Sequence, residues 1–216
     1  MNIVLLGAPG SGKGTQAEMI TSEFGLFHLQ TGEIARNLAQ KDKRIQEIVA
    51  SGKLIPEEEM TMYVIDFLRD RGEKLTNILF EGFPRFVSQY EALENFLRLK
   101  GDDIDLVISL DVSQEEAVRR ISSRRICTDC GRVYNLITNP PSGDLDHCEC
   151  GGVLVQREDD NPEAIKTRFQ YYEKNTKELM NVLEKREKLF RVNGERPINE
   201  IFEDMKKAIN NLNGKN

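Results

Sequence analysis

The sequence predicts an α/β protein with a five-stranded parallel sheet between layers of helices. Three observations predict it. Short apolar runs, suited to buried strands, alternate with longer amphipathic segments along most of the 216 residues, the order that a doubly covered parallel sheet requires. The first of these runs, from Asn2 to Leu6, breaks directly into glycines and then enters a helical segment. Between Arg125 and Arg157 the pattern changes character, and all four cysteines of the chain fall there, so a small separate lobe interrupts the alternation.

The first element is a strand from Asn2 followed by Gly7-Ala8-Pro9-Gly10-Ser11-Gly12-Lys13-Gly14-Thr15. Its glycines let successive backbone N–H groups turn inward on a polyphosphate, and Lys13 adds a mobile positive charge. The helix behind it carries Ala17, Ile20 and Phe24 on one face, stops at Gly25, and aims its positive dipole end at the same point. A strand, a glycine loop and a helix in this order form a phosphate cradle. The hydroxyl that usually follows the lysine arrives one place late, at Thr15 after Gly14, which argues against a GTPase-like switch or a motor-like ATPase.

Leu26 to Leu29 reads as the second strand, and Thr31 as the N-cap of the next helix. His28, inside that apolar run with no histidine or carboxylate spaced to join it, reads as structural. From about residue 30 to 59 the chain is a set of short helical pieces, with Ile34 to Ala39 first and then Ile45, Ile48 and Val49 before Gly52. A helix from Pro56 has Glu57, Glu58 and Glu59 in its first turn, where negative charge complements the dipole. Ile78 to Phe80 is the third strand and runs into Glu81-Gly82-Phe83-Pro84-Arg85; Ser88 to Glu91 reads as a capping box that fixes Gln89 in the first turn of the following helix. Ligands of open parallel sheets sit at the carboxyl ends of strands, so Gln89 is placed to read a base. Leu106 to Leu110 is the fourth strand, followed by a second capping box from Ser113 to Glu116 and a helix through Arg120 and Arg124, one turn apart. Phe190 to Val192 is the fifth strand, and helices from Pro162 and about Ile198 complete the cover.

The cysteine segment contains Cys127-Thr128-Asp129-Cys130-Gly131 and His147-Cys148-Glu149-Cys150-Gly151. Two such knuckles bring four soft ligands together tetrahedrally, as in structural zinc sites. Five candidates compete for four places. Register with the first knuckle selects His147 and Cys150 beside Cys127 and Cys130; the alternative puts Cys148 in place of His147. A catalytic zinc is disfavoured because four protein ligands leave no open position. The metal would staple a lobe too short to build its own core.

The net charge of −6 and a pI near 5.2 disfavour nucleic acid or an anionic membrane as the partner of the whole surface. Asp129, Asp144, Asp146 and Glu149 make the cysteine segment itself acidic, against a nucleic-acid-gripping zinc ribbon. The first buried strand begins at Asn2 without a charged leader, and no apolar run approaches membrane-spanning length. A soluble, cytoplasmic monomer is expected, with cysteines bound to metal rather than paired as disulfides.

Taken together, the phosphate loop, Gln30-Thr31-Gly32-Glu33 with Arg36, Gly52-Lys53-Leu54-Ile55, Gly82-Phe83-Pro84-Arg85 with Gln89, Arg124-Arg125, Arg157 before Asp159-Asp160, and Arg168 resemble the adenylate kinases among the nucleoside monophosphate kinases. The pattern is most similar to the long form with a zinc-stapled lid. The resemblance implies a P-loop three-layer fold with a core at 1–29, 60–121 and 160–216, an AMP-binding insert at 30–59 and a lid at 122–159. It implies the reaction ATP + AMP ⇌ 2 ADP with Mg²⁺, and a structural Zn²⁺. It further assigns Lys13, Arg85, Arg124, Arg157 and Arg168 to catalysis. ATP falls to Gly10, Ser11, Gly12, Lys13, Gly14, Thr15, Arg120, Arg124, Val133, Tyr134, Arg157 and Arg196. AMP falls to Thr31, Arg36, Lys53, Leu54, Ile55, Gly82, Arg85, Gln89 and Arg168. Two positions depart from it: Glu81, at the place that holds Mg²⁺ waters, and Glu33 both stand where the family usually has Asp.

The chemistry agrees with that resemblance. A triphosphate beside a monophosphate crowds negative charge that an acidic protein would repel unless arginines converge, and each arginine can fork onto phosphate oxygens. The attacking phosphate is already an anion, so no general base is required. A pyrimidine or guanine nucleotide specificity within the same kinases is the nearest alternative, because an amide such as Gln89 can present its donor and acceptor either way round. A non-catalytic nucleotide sensor is the other.

Overall fold

The computed structural model describes residues 1–72 and 75–213. In chain order, β1 (Asn2–Gly7) leads through the glycine loop into α1 (Lys13–Phe24), which ends with Gly25 at its C-cap. β2 (Phe27–Gln30) is followed by α2 (Thr31–Ala39), α3 (Lys43–Ala50) and α4 (Glu57–Asp70). Then come β3 (Ile78–Glu81), α5 (Val87–Leu99), β4 (Leu106–Asp111) and α6 (Gln114–Ser122). The cysteine segment holds β5 (Arg124–Cys127), β6 (Val133–Asn135) and β7 (Leu154–Val155). The chain returns through α7 (Pro162–Tyr171), a π-helical turn at Tyr172–Thr176, α8 (Lys177–Lys185), β8 (Leu189–Asn193) and α9 (Ile198–Asn213).

The main sheet has five strands in the order β2-β3-β1-β4-β8, all parallel. Its alternation explains the two layers. Val4 and Leu6 of β1, with Ile78 and Phe80 of β3, pack against Val64 and Leu68 of α4, Leu93 and Leu97 of α5, and Leu179 and Leu183 of α8. Ile3, Leu5, Leu79 and Ile108 point to the opposite face, against Ala17 and Ile20 of α1 and Ile201, Met205 and Ile209 of α9. Strands apolar on both faces are what a sheet covered on both sides demands. The cysteine segment forms its own antiparallel sheet, β6-β5-β7. Among the described residues, no helix is long and apolar enough to cross a membrane.

Several local expectations differ from the structure. The helix through Arg120 stops at Ser122, and Arg124 instead begins strand β5, so the two arginines are not neighbours on one helix face. The backbone N–H of Ser123 closes the helix onto Arg120 and Ile121 carbonyls. α2 begins at Thr31 itself, with Gln30 at the cap position and no side-chain cap. Thr31 Oγ1 is turned to Glu81 O, 3.4 Å away. α5 begins at Val87 without a side-chain cap, and the Ser88 hydroxyl bonds the Glu57 carboxylate, so the expected capping box there does not form. At Ser113 half of the box forms: its Oγ accepts from Glu116 N, while Glu116 turns away to Arg119 and Arg120. The second strand runs one residue later than expected, to Gln30, which brings that side chain into the sheet's register.

Candidate active site

The carboxyl ends of β1, β2 and β3 open on one large cleft of about 1140 Å³, as the topology of parallel sheets requires. The phosphate loop forms its floor. Gly10 has φ of 80°, and a Cβ there would lie 2.3 Å from Ala117 O of α6, so a side chain would push the loop off the helix that supports it. Lys13 folds back over the loop, donating from Nζ to Gly7 O at 2.8 Å and Ala8 O at 2.7 Å. Burial pulls its pKa down to about 7; Glu81 opposes this, while Arg85, Arg168 and Arg124 add to it.

One wall is built from the ends of β2 and β3 and the helices after them. Glu81 is held by His28 Nε2 at 2.9 Å and Gln30 Nε2 at 2.7 Å, both donating to Oε2. Burial works against its ionised form, but these hydrogen bonds and the Lys13 charge prevail and lower its pKa. The partner that makes sense of His28 is thus a carboxylate on the neighbouring strand, which sequence spacing does not reveal. Arg36 Nη2 donates to Gln30 Oε1 at 3.2 Å. Arg85 Nε donates to Gly82 O at 2.7 Å, and the Arg85 backbone N–H donates to Gln89 Oε1 at 2.9 Å. Gln89 Nε2 donates to Glu57 O at 3.2 Å. Burial lowers the pKa of Arg85 and brings that of Arg36 down to about 10, with the Arg157 charge adding to the effect. Lys53, Leu54 and Ile55 line the same wall.

The opposite wall comes from α6, the cysteine lobe and α7. Arg120 Nε donates to Glu116 Oε1 at 2.6 Å, and its Nη1 to Gly194 O at 2.8 Å. Bonds from Arg119 and Arg120 pull the Glu116 pKa down to about 2, against burial. Arg157 makes a two-pronged contact with Asp159, 2.9 Å on each arm. Arg168 Nη1 donates to Asp160 Oδ1 at 3.0 Å and Asp159 Oδ2 at 3.3 Å; burial, aided by Arg124, lowers its pKa to about 10. Arg196 reaches Asp204 Oδ2 at 2.5 Å. Val133 and Tyr134 of β6 line this side.

The four cysteines are free thiols, and all four sulfurs lie within 4.8 Å of one another. Cys127 Sγ is 3.5 Å from Cys150 Sγ, and Cys130 Sγ is 3.6 Å from Cys148 Sγ. Those spacings suit the edges of a tetrahedron with metal–sulfur bonds of about 2.3 Å. The cluster takes in Cys148, the alternative of the sequence reading, and leaves out His147, which register had favoured. The His147 backbone bridges Val153, and its exposed ring turns outward to Asp144 Oδ2 at 2.6 Å. Cys148 turns inward beneath Tyr134, 3.2 Å from its hydroxyl.

Every ATP-, AMP- and catalysis-assigned residue of the sequence analysis lines the one cleft. Four contributors carried no role in the sequence reading: Asp159 and Asp160, which hold three of the arginines, and His28 and Gln30, which hold Glu81; Asp159, Asp160 and Gln30 stood only as parts of the motifs. The acidic pair was legible as a charge run after Arg157. The other two depend on strand pairing.

A family model described as adenylate kinase matches residues 5–188. The adenylate kinase of Thermosipho africanus is 40% identical over 213 residues, covering 97% of this chain and 99% of that protein. That of Bacillus pumilus is 36% identical over 217 residues, covering 99% and 100%. That of Methanothrix thermoacetophila is 40% identical over 216 residues, covering 97% and 98%. With a phosphate loop at the end of the central strand, half-buried arginines on both walls and likeness along nearly its whole length, the chain belongs to the adenylate kinase family of phosphotransferases.

Proposed function

We propose that the chain catalyses ATP + AMP ⇌ 2 ADP, with ATP on the phosphate loop and AMP against the α2–α5 wall. The observation that carries this reading is that Lys13 on the floor and Arg36, Arg85, Arg124, Arg157 and Arg168 on opposite walls line one cleft. ATP phosphates lie on residues Gly10 to Thr15, with Arg120, Val133, Tyr134 and Arg196 toward the nucleoside. AMP is held by Thr31, Arg36, Gly82 and Gln89, with Lys53, Leu54 and Ile55 beside the base. Lys13, Arg85, Arg124, Arg157 and Arg168 surround the transferring group.

Catalysis follows from charge. Burial makes the guanidinium charges of Arg36, Arg85 and Arg168 costly, and the charges of Arg124 and Arg168 oppose each other. Phosphate oxygens relieve both costs at once, most fully when donor and acceptor phosphates are together, so the field is prepared before the reaction rather than reorganised during it. The AMP phosphate attacks as an anion, and the lid at 122–159, with the insert at 30–59, keeps water from taking its place.

A magnesium ion fits this site: Glu81 keeps Oε2 in hydrogen bonds to His28 and Gln30, while Oε1 faces the loop, 3.9 Å from a Cβ placed on Gly14. A carboxylate oxygen beside the phosphates is a suitable partner for a hard cation or its waters. With ATP, Mg²⁺ supplies neutralisation of the phosphate charge. Cys127, Cys130, Cys148 and Cys150 hold a structural Zn²⁺ that braces the lid, and a reducing cytoplasm keeps their thiols available. The cleft is complete within one chain, which supports a monomer.

The test is ADP formation from MgATP with AMP, UMP, CMP or GMP offered separately, beside hydrolysis without an acceptor. Rapid turnover with AMP and negligible hydrolysis is expected. Turnover favouring a pyrimidine acceptor moves the specificity elsewhere, and no transfer overturns the reading.

A further inference from the structure

Gln30 ends β2 in register with Glu81 at the end of β3, so both side chains rise on the same face of the sheet. Its amide is used at both ends. Nε2 donates to Glu81 Oε2 at 2.7 Å, and Oε1 accepts from Arg36 Nη2 at 3.2 Å. Arg36 can only donate and an ionised Glu81 can only accept. A neutral amide satisfies both, whereas a glutamate at this place would oppose Glu81, a lysine would oppose Arg36, and a serine would be too short to span them. Glu81 is also one methylene longer than aspartate, which carries its carboxylate out to the β2 side chains. His28 takes the same oxygen at 2.9 Å, leaving Oε1 on the phosphate-loop side.

We propose that Gln30 is a positioning residue that couples the two substrate subsites, fixing through one amide both the Arg36 guanidinium that meets the acceptor phosphate and the Glu81 carboxylate that faces the donor phosphates. The inference rests on the acceptor subsite proposed above. With Gln30 in place, only part of the Arg36 donor set is engaged and the guanidinium is ordered before the acceptor arrives. Without it, acceptor binding must order a long side chain, which weakens the complex. A change at Glu81 reaches Arg36 through the same amide, so acceptor affinity responds to Glu81 even with no metal and no ATP present.

The test is a double-mutant cycle read by calorimetric titration with AMP alone, on wild type, Gln30→Ala, Glu81→Gln and the pair. Gln30→Ala is expected to weaken AMP binding about 3- to 10-fold. The effect of Glu81→Gln on AMP affinity is expected to differ by about threefold or more between the wild-type and Gln30→Ala backgrounds. Gln30→Met keeps the side-chain length without either hydrogen bond, and it replaces the alanine variant if that one fails to fold. A methionine variant that binds AMP like wild type, or effects that multiply independently, overturns the coupling while leaving the acceptor subsite intact. Wild-type protein that binds no AMP overturns the acceptor subsite itself and the coupling with it.

Discussion

Arg124 rests on Asp160 through two parallel bonds, Nε to Oδ2 at 2.8 Å and Nη2 to Oδ1 at 2.5 Å, and the Asp160 side chain is completely buried. Arg168 of α7 shares the same carboxylate at 3.0 Å. One aspartate therefore joins the first strand of the cysteine lobe to α7 and holds two mutually repelling guanidiniums side by side. An asparagine in its place would keep the shape and remove the charge, so Asp160→Asn is expected to lower stability by about 3–5 kcal/mol, the range for breaking a buried ion pair. Urea unfolding measures the loss. A midpoint within error of wild type would show that the pair contributes orientation alone.

Lys13 links ligand binding to protons. Its pKa is about 7 in place of 10.5, so the cost of burying its charge is full below about pH 7 and fades as pH rises toward 10.5. Stability of the ligand-free protein is expected to rise through that window, because the unfolded chain there holds more protons than the folded one. Polyphosphate restores the charge. Nucleotide binding at pH 7.5 is therefore expected to take up on the order of half to three-quarters of a proton at this group. Titrations in buffers of different ionisation heat read it, and zero uptake would count against the shift.

The thiol cluster makes a clean comparison between adjacent residues. Cys148 is inside the cluster and His147 outside it. Cys148→Ser is expected to lower metal content and thermal stability together, whereas His147→Ala retains about one metal per chain. Chelation of the wild type should reproduce the Cys148→Ser loss, because metal-binding free energy is folding free energy in so small a lobe. Metal content and melting temperature decide it; loss of metal in His147→Ala would return the fourth place to the histidine.

The five strands of the main sheet and their order along the chain were legible because Ile3 to Leu6, Ile78 to Phe80 and Leu106 to Leu110 carry apolar residues on both faces, a pattern that a doubly covered sheet buries, whereas the short strands β5, β6 and β7 of the cysteine lobe carried no such signal. The glycine loop was legible because its backbone demands are written in residue types. Less was legible where contacts run between strands. His28 read as a solitary core histidine because its partner, Glu81, lies on a strand beginning 50 residues later in sequence, and spacing along the chain carries no pairing register. Arg124 was placed on a helix because amphipathic periodicity continues past Ser122, while the closing turn at Ser123 depends on backbone bonds to Arg120 and Ile121. The choice between His147 and Cys148 turned on which side chain faces inward, and a one-residue difference in a turn reverses that.

Glu81→Asp tests the carboxylate's length. Both bonds to Oε2, at 2.9 and 2.7 Å, are formed at the reach of a glutamate. Shortening the side chain by one methylene withdraws the carboxylate by about an ångström, a displacement that can cost about 100-fold in rate. The Mg²⁺ concentration for half-maximal ADP formation is expected to shift, and His28→Ala should move it in the same assay with a smaller effect. An unchanged Mg²⁺ titration would remove Glu81 from the cation's surroundings.

Two backbone groups fix which way round the Gln89 amide points. The Arg85 backbone N–H occupies one lone pair of Oε1, and Glu57 O takes one Nε2 hydrogen. Reversing the amide would set Nε2 against an N–H and Oε1 against a carbonyl, so the orientation is held by two backbone groups. One acceptor lone pair and one N–H remain, the groups that in the proposed acceptor subsite would meet the exocyclic amine and ring nitrogen N1 of adenine. Guanine presents an oxygen and an N–H at the corresponding places and needs the opposite arrangement from a fixed amide in the same pose. Gln89→Ala is expected to raise the KM for AMP about tenfold, the equivalent of about 1.4 kcal/mol and the scale of a lost hydrogen bond in a buried site. It should lower the AMP-to-GMP ratio of kcat/KM by a similar factor, with kcat less affected because the phosphate contacts remain. Steady-state kinetics with both acceptors read the outcome; an unchanged KM for AMP would show that the base is recognised by other groups.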